Sequence, residues 1–297
     1  MEPIGPGPTA RRGITLALAW GVVTFLVLPL LVVFPVSVTD TRYLSMPDKG
    51  ISFQHFAKLA TSPEWLGSIG HSAVIAMIAT ALCVVLGTLC AVGCWRLGSR
   101  LSETVRTLTL VPIVVPSIVY ALGVYRLFVD LRLLDTYLGV VIAHVVTGVP
   151  YVVITVSASL ANLDVRLEQA ARSLGATLGQ TVRKVIVPNI LPGVASGAIF
   201  AFIHSWDETV IVLFIAGRSV YTLPRRMWAD INENLDPVIA AVAVLLIFVT
   251  LALLLSELAL RGVAVRGEAR SGGEPSGEMI EMSRRGAVGR RAGGPTP

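Results

Sequence analysis

The sequence predicts an all-α, polytopic membrane protein with six transmembrane helices. Three observations lead there. Hydrophobic residues make up 54% of the chain and charged residues only 14%, where a soluble domain carries about 25% charged residues. Mean hydropathy is +0.74. Six runs almost free of charge are each long enough to cross a bilayer as helix, which takes about 20 residues. In hydrocarbon every backbone amide must be satisfied within its own segment, so these runs are helices rather than open strands.

Taken in order, residues 1–12 are rich in Gly, Pro and Arg and bury too little apolar surface to offset ordering, so a disordered N-terminal tail is expected. The transmembrane domain then covers 13–266. Its first run, Gly13 to Thr39, has 27 uncharged residues and no A-x-A-like cleavage site, which marks a retained helix rather than a removable signal peptide. An external loop, Asp40 to Glu64, leads to the second run, Trp65 to Trp95. Cys83, Cys90 and Cys94 share one face of that helix. Without His or acid partners they read as small packing residues, not metal ligands. The third and fourth runs are Thr107 to Tyr125 and Thr136 to Leu163, and a polar loop occupies about 162–190.

The fifth run, Val185 to Trp206, extends through Gly217 despite Asp207 and Glu208. Carboxylates in a spanning helix are costly, about 2.5–3.5 kcal/mol each at its centre, and mark function by default. With a helix start near Leu191, Asp207 lies about 24 Å along a core of about 30 Å, in its outer part. His204 stands three residues before Asp207 and four before Glu208, so the three share a helix flank. Val220 to Asp236 reads as a short surface helix, with Leu223, Met227, Trp228 and Ile231 at near-helical spacing. Trp228 is expected at the membrane interface, and Arg225, Arg226, Asp230 and Glu233 on other faces. The sixth run is Pro237 to Ser256, and 267–297 form a disordered basic C-terminal tail.

Placing both termini inside puts 16 Lys and Arg residues on that side and 8 on the other, the bias expected of a cytoplasmic face. The chain holds no Gly-Lys pair, and therefore no phosphate cradle with which to use ATP itself. Nor does it hold Gly-x-Ser-x-Gly or His-Glu-x-x-His, so nothing points to an enzyme. No cofactor and no nucleic acid is expected on this chain.

The loop between the fourth and fifth runs reads QAARSLGATLGQTVRKVIVP over 169–188. Gln169, Ala170, Ala171, Gly175, Val185, Val187 and Pro188 follow the pattern E-A-A, three residues, Gly, nine residues, apolar-x-apolar-Pro. This resembles the cytoplasmic signature of ABC importer permeases, with Gln169 in place of Glu and Glu168 just before it. Ser205-Trp206-Asp207-Glu208, Thr222-Leu223-Pro224, Met227-Trp228, Pro237 with Ala240-Ala241, and Val111 to Pro116 resemble the spermidine/putrescine branch, in particular its second permease subunit.

The resemblance implies a type I importer permease fold in a bacterial inner membrane, forming half of a translocation pathway. It also implies a second homologous permease, a cytoplasmic ATPase dimer carrying ATP and Mg, and an extracytoplasmic substrate-binding protein. The loop helix would dock in the ATPase, with Glu168 and Gln169 near a partner arginine. Ala170 and Ala171 keep its surface narrow, Gly175 allows a turn or close contact, and Pro188 restricts how the chain enters the next helix. His204, Trp206, Asp207 and Glu208 would line the path of a cationic amine. Alternatives are pairing of the carboxylates with Arg126 or with a partner subunit, an importer for a metal or organic anion, and a gradient-driven carrier using His204, Asp207 and Glu208.

Overall fold

The computed structural model describes residues 8–48, 50–233 and 235–271. Among these the regular elements are all helical: α1 (Pro8–Ser37), α2 (Gln54–Thr61), α3 (Pro63–Leu97), α4 (Arg100–Val114), α5 (Ser117–Asp130), α6 (Tyr137–Ala161), α7 (Val165–Ser173), α8 (Leu178–Thr181), a π-helical turn (Val182–Ile186), α9 (Val187–Asp207), α10 (Val210–Ile215), α11 (Leu223–Glu233) and α12 (Val238–Ser271). Helices α1 and α12 run past the boundaries given to the two tails. The remainder of those tails, 1–7 and 272–297, lies outside the described residues.

Among the described residues, five helices are long and apolar enough to span a bilayer unbroken, and α4 with α5 forms a pair bent by 108°. The third run is therefore not one straight helix. Its break falls at Val115 and Pro116: proline offers no N–H to the turn before it and drives its predecessor out of the helical region, and Val115 is extended at φ −77°, ψ 125°. The bent pair nevertheless crosses. The end of α3 is tied to α7 by Arg96 and Glu168, and α6 starts on the opposite side and finishes beside α7, so the chain between α3 and α6 traverses the layer. Six crossings result, and the start of α1 and the end of α12 fall on the α7 side.

The fifth run also breaks. Helix α9 stops at Asp207, Glu208 is extended at φ −72°, ψ 115°, and α10 restarts at Val210. Because α9 begins at Val187 rather than Leu191, Asp207 lies about 30 Å along it, at the outer end and not within a continuous helix.

Helix α6 is the hub. Two-thirds of its apolar window is buried, against none for α1. Its main-chain neighbours come close because glycine faces them. A Cβ on Gly87 of α3 would lie 2.7 Å from the Val152 Cβ, and one on Gly197 of α9 would lie 2.9 Å from the Val152 Cα and 2.5 Å from Thr155 Oγ1. Gly193, one turn before Gly197, meets Ser159 and Thr155 in the same way, giving a small-xxx-small seam of the kind that packs membrane helices. Ile75, Val140, Val152, Val156, Ile186, Ile190 and Ile211 fill the surrounding core.

A second core joins Leu59, Trp65, Trp206, Leu223, Val238 and Val242 beneath α2 and α11. In α11 Leu223 is buried and Met227 packs on this core, while Trp228 is 52% and Ile231 44% exposed. Arg225, expected on an outer face, is instead buried over the Tyr221 ring at 3.7 Å and donates to the Gly217 carbonyl. Arg226 secures α11 to α3 through Glu64 (2.7 Å) and Ser68 Oγ (3.0 Å). Lys58 of α2 pairs with Asp236 ahead of α12.

Burial alone would raise the Asp236 carboxyl, but the Lys58 ammonium and the Val238 N–H outweigh it and hold the carboxyl below its usual range. A lowered carboxyl stabilises the fold above its unfolded-state pKa and loses that contribution as pH falls through the folded value. Asp236→Asn should therefore make the melting temperature less sensitive to acid in that window, by at most about 1 kcal/mol since Lys58 is largely exposed. Gly197→Val should overpack the α6–α9 seam and cost roughly 1–3 kcal/mol, read as a lower unfolding temperature in detergent. Wild-type melting of that variant would show that the seam tolerates a side chain.

Candidate functional site

Two regions of the bundle carry the residues singled out in the sequence. The first is the loop after α6. Asp164 caps α7 by accepting the Arg166 N–H at 2.9 Å, and Gly175 turns the chain at φ +83°, a conformation that disfavours side chains. Nothing lies within 4 Å of a Cβ placed on Gly175, so the turn, not close contact, demands glycine. Thr177 and Gln180 form a reciprocal capping box on α8. Pro188 follows the π turn, in which the Val187 N–H reaches back to the Val182 carbonyl. The wider turn gives the proline ring room where an α turn would press it against the Lys184 carbonyl.

Helix α7 has no buried residue. Gln169 and Ala170 are exposed, Ala171 is half-buried, and Val165, Leu167, Leu174 and Leu178 show 50%, 47%, 89% and 57% of their surface. Glu168 differs from its neighbours. It turns inward to Arg96 at 2.9 Å, with the two side chains only 14% and 18% exposed. Glu168 thus holds α7 to the end of α3, while Gln169 lies on the open surface. Sequence reading missed Arg96 because its partner lies across the bundle.

The second region lies between the outer halves of α6 and α9. His204 Nε2 is hydrogen-bonded to Thr147 Oγ1 at 2.8 Å and its ring packs on Tyr151 at 5.1 Å. His144 Nδ1 is hydrogen-bonded to Ser205 Oγ at 2.7 Å. Asp207 is exposed at the end of α9, and Glu208 is within electrostatic reach of His204, Tyr151 and Asp207. Glu208 also accepts the Ile211 N–H (3.0 Å) and the Ser117 hydroxyl (3.4 Å), which caps α10 and reaches α5 just past its break. Arg126 is engaged with Asp130 at 3.4 Å, so it is not the partner of the α9 carboxylates.

Trp206 is placed differently. Its indole is buried in the second core and stacks on Phe202 at 5.8 Å, so it supports the cluster from behind rather than facing it. No sequence signal marked Thr147, Tyr151, His144 or Ser117, whose relevance depends on helix rotation. The cysteines also separate by depth: Cys83 Sγ donates to the Val145 carbonyl at 3.6 Å, while Cys90 lies 3.7 Å from Thr109 Oγ1.

Known proteins resemble this chain in sequence and in fold. Residues 83–265 match the family described as binding-protein-dependent transport system inner membrane component. The spermidine/putrescine transport system permease protein PotC of Haemophilus influenzae is 30% identical over 241 residues, covering 81% of this chain and 93% of that protein. The putrescine transport system permease protein PotI of Escherichia coli K12 is 30% identical over 231 residues, covering 75% and 82%. The trehalose transport system permease protein SugB of Mycobacterium tuberculosis is 28% identical over 207 residues, covering 68% and 76%. In fold, the chain is similar to a bacterial ABC transporter involved in the import of the acidic polysaccharide alginate (TM-score 0.61, 15% identity, 88% of this chain and 99% of that one). It is likewise similar to the inward-facing MetNI methionine transporter (TM-score 0.56, 19% identity, 67% and 97%).

Arg96→Ala should free α7 from α3, removing a charged hydrogen bond of about 1.5–3 kcal/mol. Limited trypsin digestion at Arg166 and Arg172 should then run faster, and Arg96→Lys, which keeps a cation for Glu168, should retain part of the protection. Equal cleavage rates in all three proteins would show that the pair does not hold the loop.

Proposed function

The chain belongs to the family of binding-protein-dependent transport system inner membrane components, and on that premise we propose that it forms half of the translocation pathway of an ATP-driven polyamine importer. It is a multi-pass transport subunit of the inner membrane, not an enzyme. Its energy comes from a cytoplasmic ATPase pair that binds ATP and Mg. A second homologous permease completes the pathway, and a substrate-binding protein delivers solute to the α2 and α11 face.

One observation carries the coupling role: α7 stands out from the bundle with its apolar side chains uncovered, yet is capped by Asp164 and tethered by Arg96. Such a helix fits a groove on a neighbour, with Gln169 and Ala170 on its open surface. Closing of the ATPase pair would press on α7, and the Glu168 to Arg96 contact would pass the displacement to α3. A two-state shift between outward and inward openings then follows by rigid movement of packed helices. This assignment makes the α7 side cytoplasmic, with the start of α1 and the end of α12 on it, in line with the excess of Lys and Arg there.

The carboxylates support the amine as solute. Asp207 and Glu208 at the outer end of α9, beside Tyr151 and His204, offer an ammonium group both negative charge and aromatic faces. Glu208 is partly committed to Ser117 and Ile211, so Asp207 is the more available of the two. The likeness to a trehalose permease keeps a second reading open, in which the same architecture moves an uncharged solute.

The test is ATP-dependent uptake of labelled spermidine and putrescine by the reconstituted complex, with trehalose as competitor. Saturable amine uptake that trehalose leaves unchanged is expected, together with a loss of roughly tenfold or more on Asp207→Asn, the size of one charge-assisted hydrogen bond. Glu208→Gln should lower both uptake and thermal stability. Uptake of neither amine would overturn the substrate, and absence of any ATPase in the purified complex would overturn the coupling role.

A further inference from the structure

A cavity of about 380 Å³ lies between the loop after α1, helix α2 and the start of α12, and it is lined by Arg42, Gln54, His55, Lys58 and Asp236. Small-molecule sites span about 300–1,000 Å³, so the space suits a compact polar group. Its depth follows from two span ends. The spanning window of α1 closes at Ser37 and that of α12 opens at Val238. Arg42 stands five positions past the first and Asp236 two before the second. The cavity therefore sits on the side away from α7, where hydrocarbon gives way to headgroups.

The loop that carries Arg42 is folded on itself. The Ser52 N–H donates to the Val38 carbonyl at 2.9 Å and closes its base, while the hydroxyls of Thr39, Thr41 and Ser45 are linked at 3.1 Å and 2.8 Å. Gln54 Nε2 donates to the Thr39 carbonyl at 3.4 Å, which joins α2 to the same loop. His55 is buried beneath. Within the lining, Asp236 is already engaged by Lys58 and the Val238 N–H. Arg42 is different: it forms no ion pair among the described residues. Its guanidinium is thus left to present a fork of N–H donors that matches phosphate oxygens.

The same loop is unusually apolar on its outside. Tyr43, Ile51 and Phe53 show 65%, 73% and 68% of their surface, and Leu44 and Met46 are exposed as well. Facing water, such a cluster would be a liability; at a membrane surface it sinks into the boundary between headgroups and acyl chains. Helix α1, which leads into the loop, has no buried residue in its spanning window, so the loop stands at the rim of the bundle beside lipid. An unpaired cation above apolar side chains at this depth mirrors a phospholipid, whose phosphate lies above its chains.

We infer that this cavity holds the phosphodiester of one phospholipid from the leaflet away from α7. Arg42 is its principal ligand, Gln54 and Lys58 supply further N–H donors, and the acyl chains lie beside α1 and α12. The lipid ties the outer end of α1 to α2, which α1 does not otherwise grip through its spanning window. Only the crossing of a bilayer is required, so the site is independent of the solute that the transporter moves.

The experiment uses the assembled transporter, stripped of lipid in detergent and titrated with short-chain phosphatidylglycerol, with the matching diacylglycerol and with inorganic phosphate, bound molecules being counted by native mass spectrometry. Phosphatidylglycerol should fill one saturable site that Arg42→Gln weakens about tenfold, the effect of one charged hydrogen bond. Arg42→Lys should keep part of the affinity. Because Arg42 is exposed and makes no ion pair, neither change removes a salt bridge on which the fold depends. Diacylglycerol should leave the site vacant, and inorganic phosphate should not displace the lipid at equal concentration. Equal lipid binding by the wild type and Arg42→Gln, or diacylglycerol binding as tight as that of the phospholipid, would overturn the inference. Inorganic phosphate bound as tightly as the lipid would make this a free-anion site and overturn the lipid assignment. Loss of the substrate-binding protein from Arg42→Gln with an unchanged lipid count would overturn it too, giving the cavity to that partner.

Discussion

The close approach of α6 to α3 and α9 is the constraint on which the bundle rests. Lipid tails are as apolar as leucine, so no hydrophobic gain drives one spanning helix against another. Contact has to come from shape, and shape here comes from missing side chains. Gly87 admits Val152 from one side, while Gly193 and Gly197 admit Thr155, Ser159 and Val152 from the other. With α6 held in this way, its polar flank is brought against that of α9, and the hydrogen bonds of Thr147 with His204 and His144 with Ser205 become possible. The polar seam is thus a product of the glycine seam. Neither would exist with larger residues at these positions.

The two breaks in the spanning segments share a logic. Val115 and Pro116 end α4 because proline cannot supply the bond that would continue it, and Glu208 ends α9 because its carboxylate turns back to cap α10. Irregular backbone at membrane depth survives only where its polar groups find partners. The Ser117 hydroxyl donates to Glu208, so the first residue of α5 satisfies the residue that interrupts α9. One carboxylate therefore stabilises two discontinuities together, which places a structural demand on Glu208 that Asp207 does not share.

The spanning segments and the loop before α8 were legible in the sequence because both depend on composition and short-range spacing. Charge-free length announces a crossing, and Ala170, Ala171, Gly175 and Pro188 announce a turn between helices. The bend at Pro116 was open to the same reasoning, since Pro112 and Pro116 bracket Ile113, Val114 and Val115, but a run counted by charge alone hides it. What stayed out of reach depends on rotation about helix axes and on distant pairs. Arg96 and Glu168 are 72 positions apart, and the hydrogen-bonded Ser196 and Glu257 are 61 apart. Arg225 looked like a surface cation, because Tyr221 and the Gly217 carbonyl, although only four and eight positions back, enclose it through the path of the chain into α11.

The peripheral place of α1 has a consequence for how the chain comes apart. Its apolar window contains no buried residue, and it rests chiefly on α12, where Phe34 meets Phe248 edge to face at 6.0 Å. Separating α1 from the rest exchanges one helix face for lipid and leaves both glycine-lined contacts of α6 untouched. Cooperativity therefore stops at the α1–α12 boundary, and the molecule comprises a large melting unit with a small, laterally detachable one beside it.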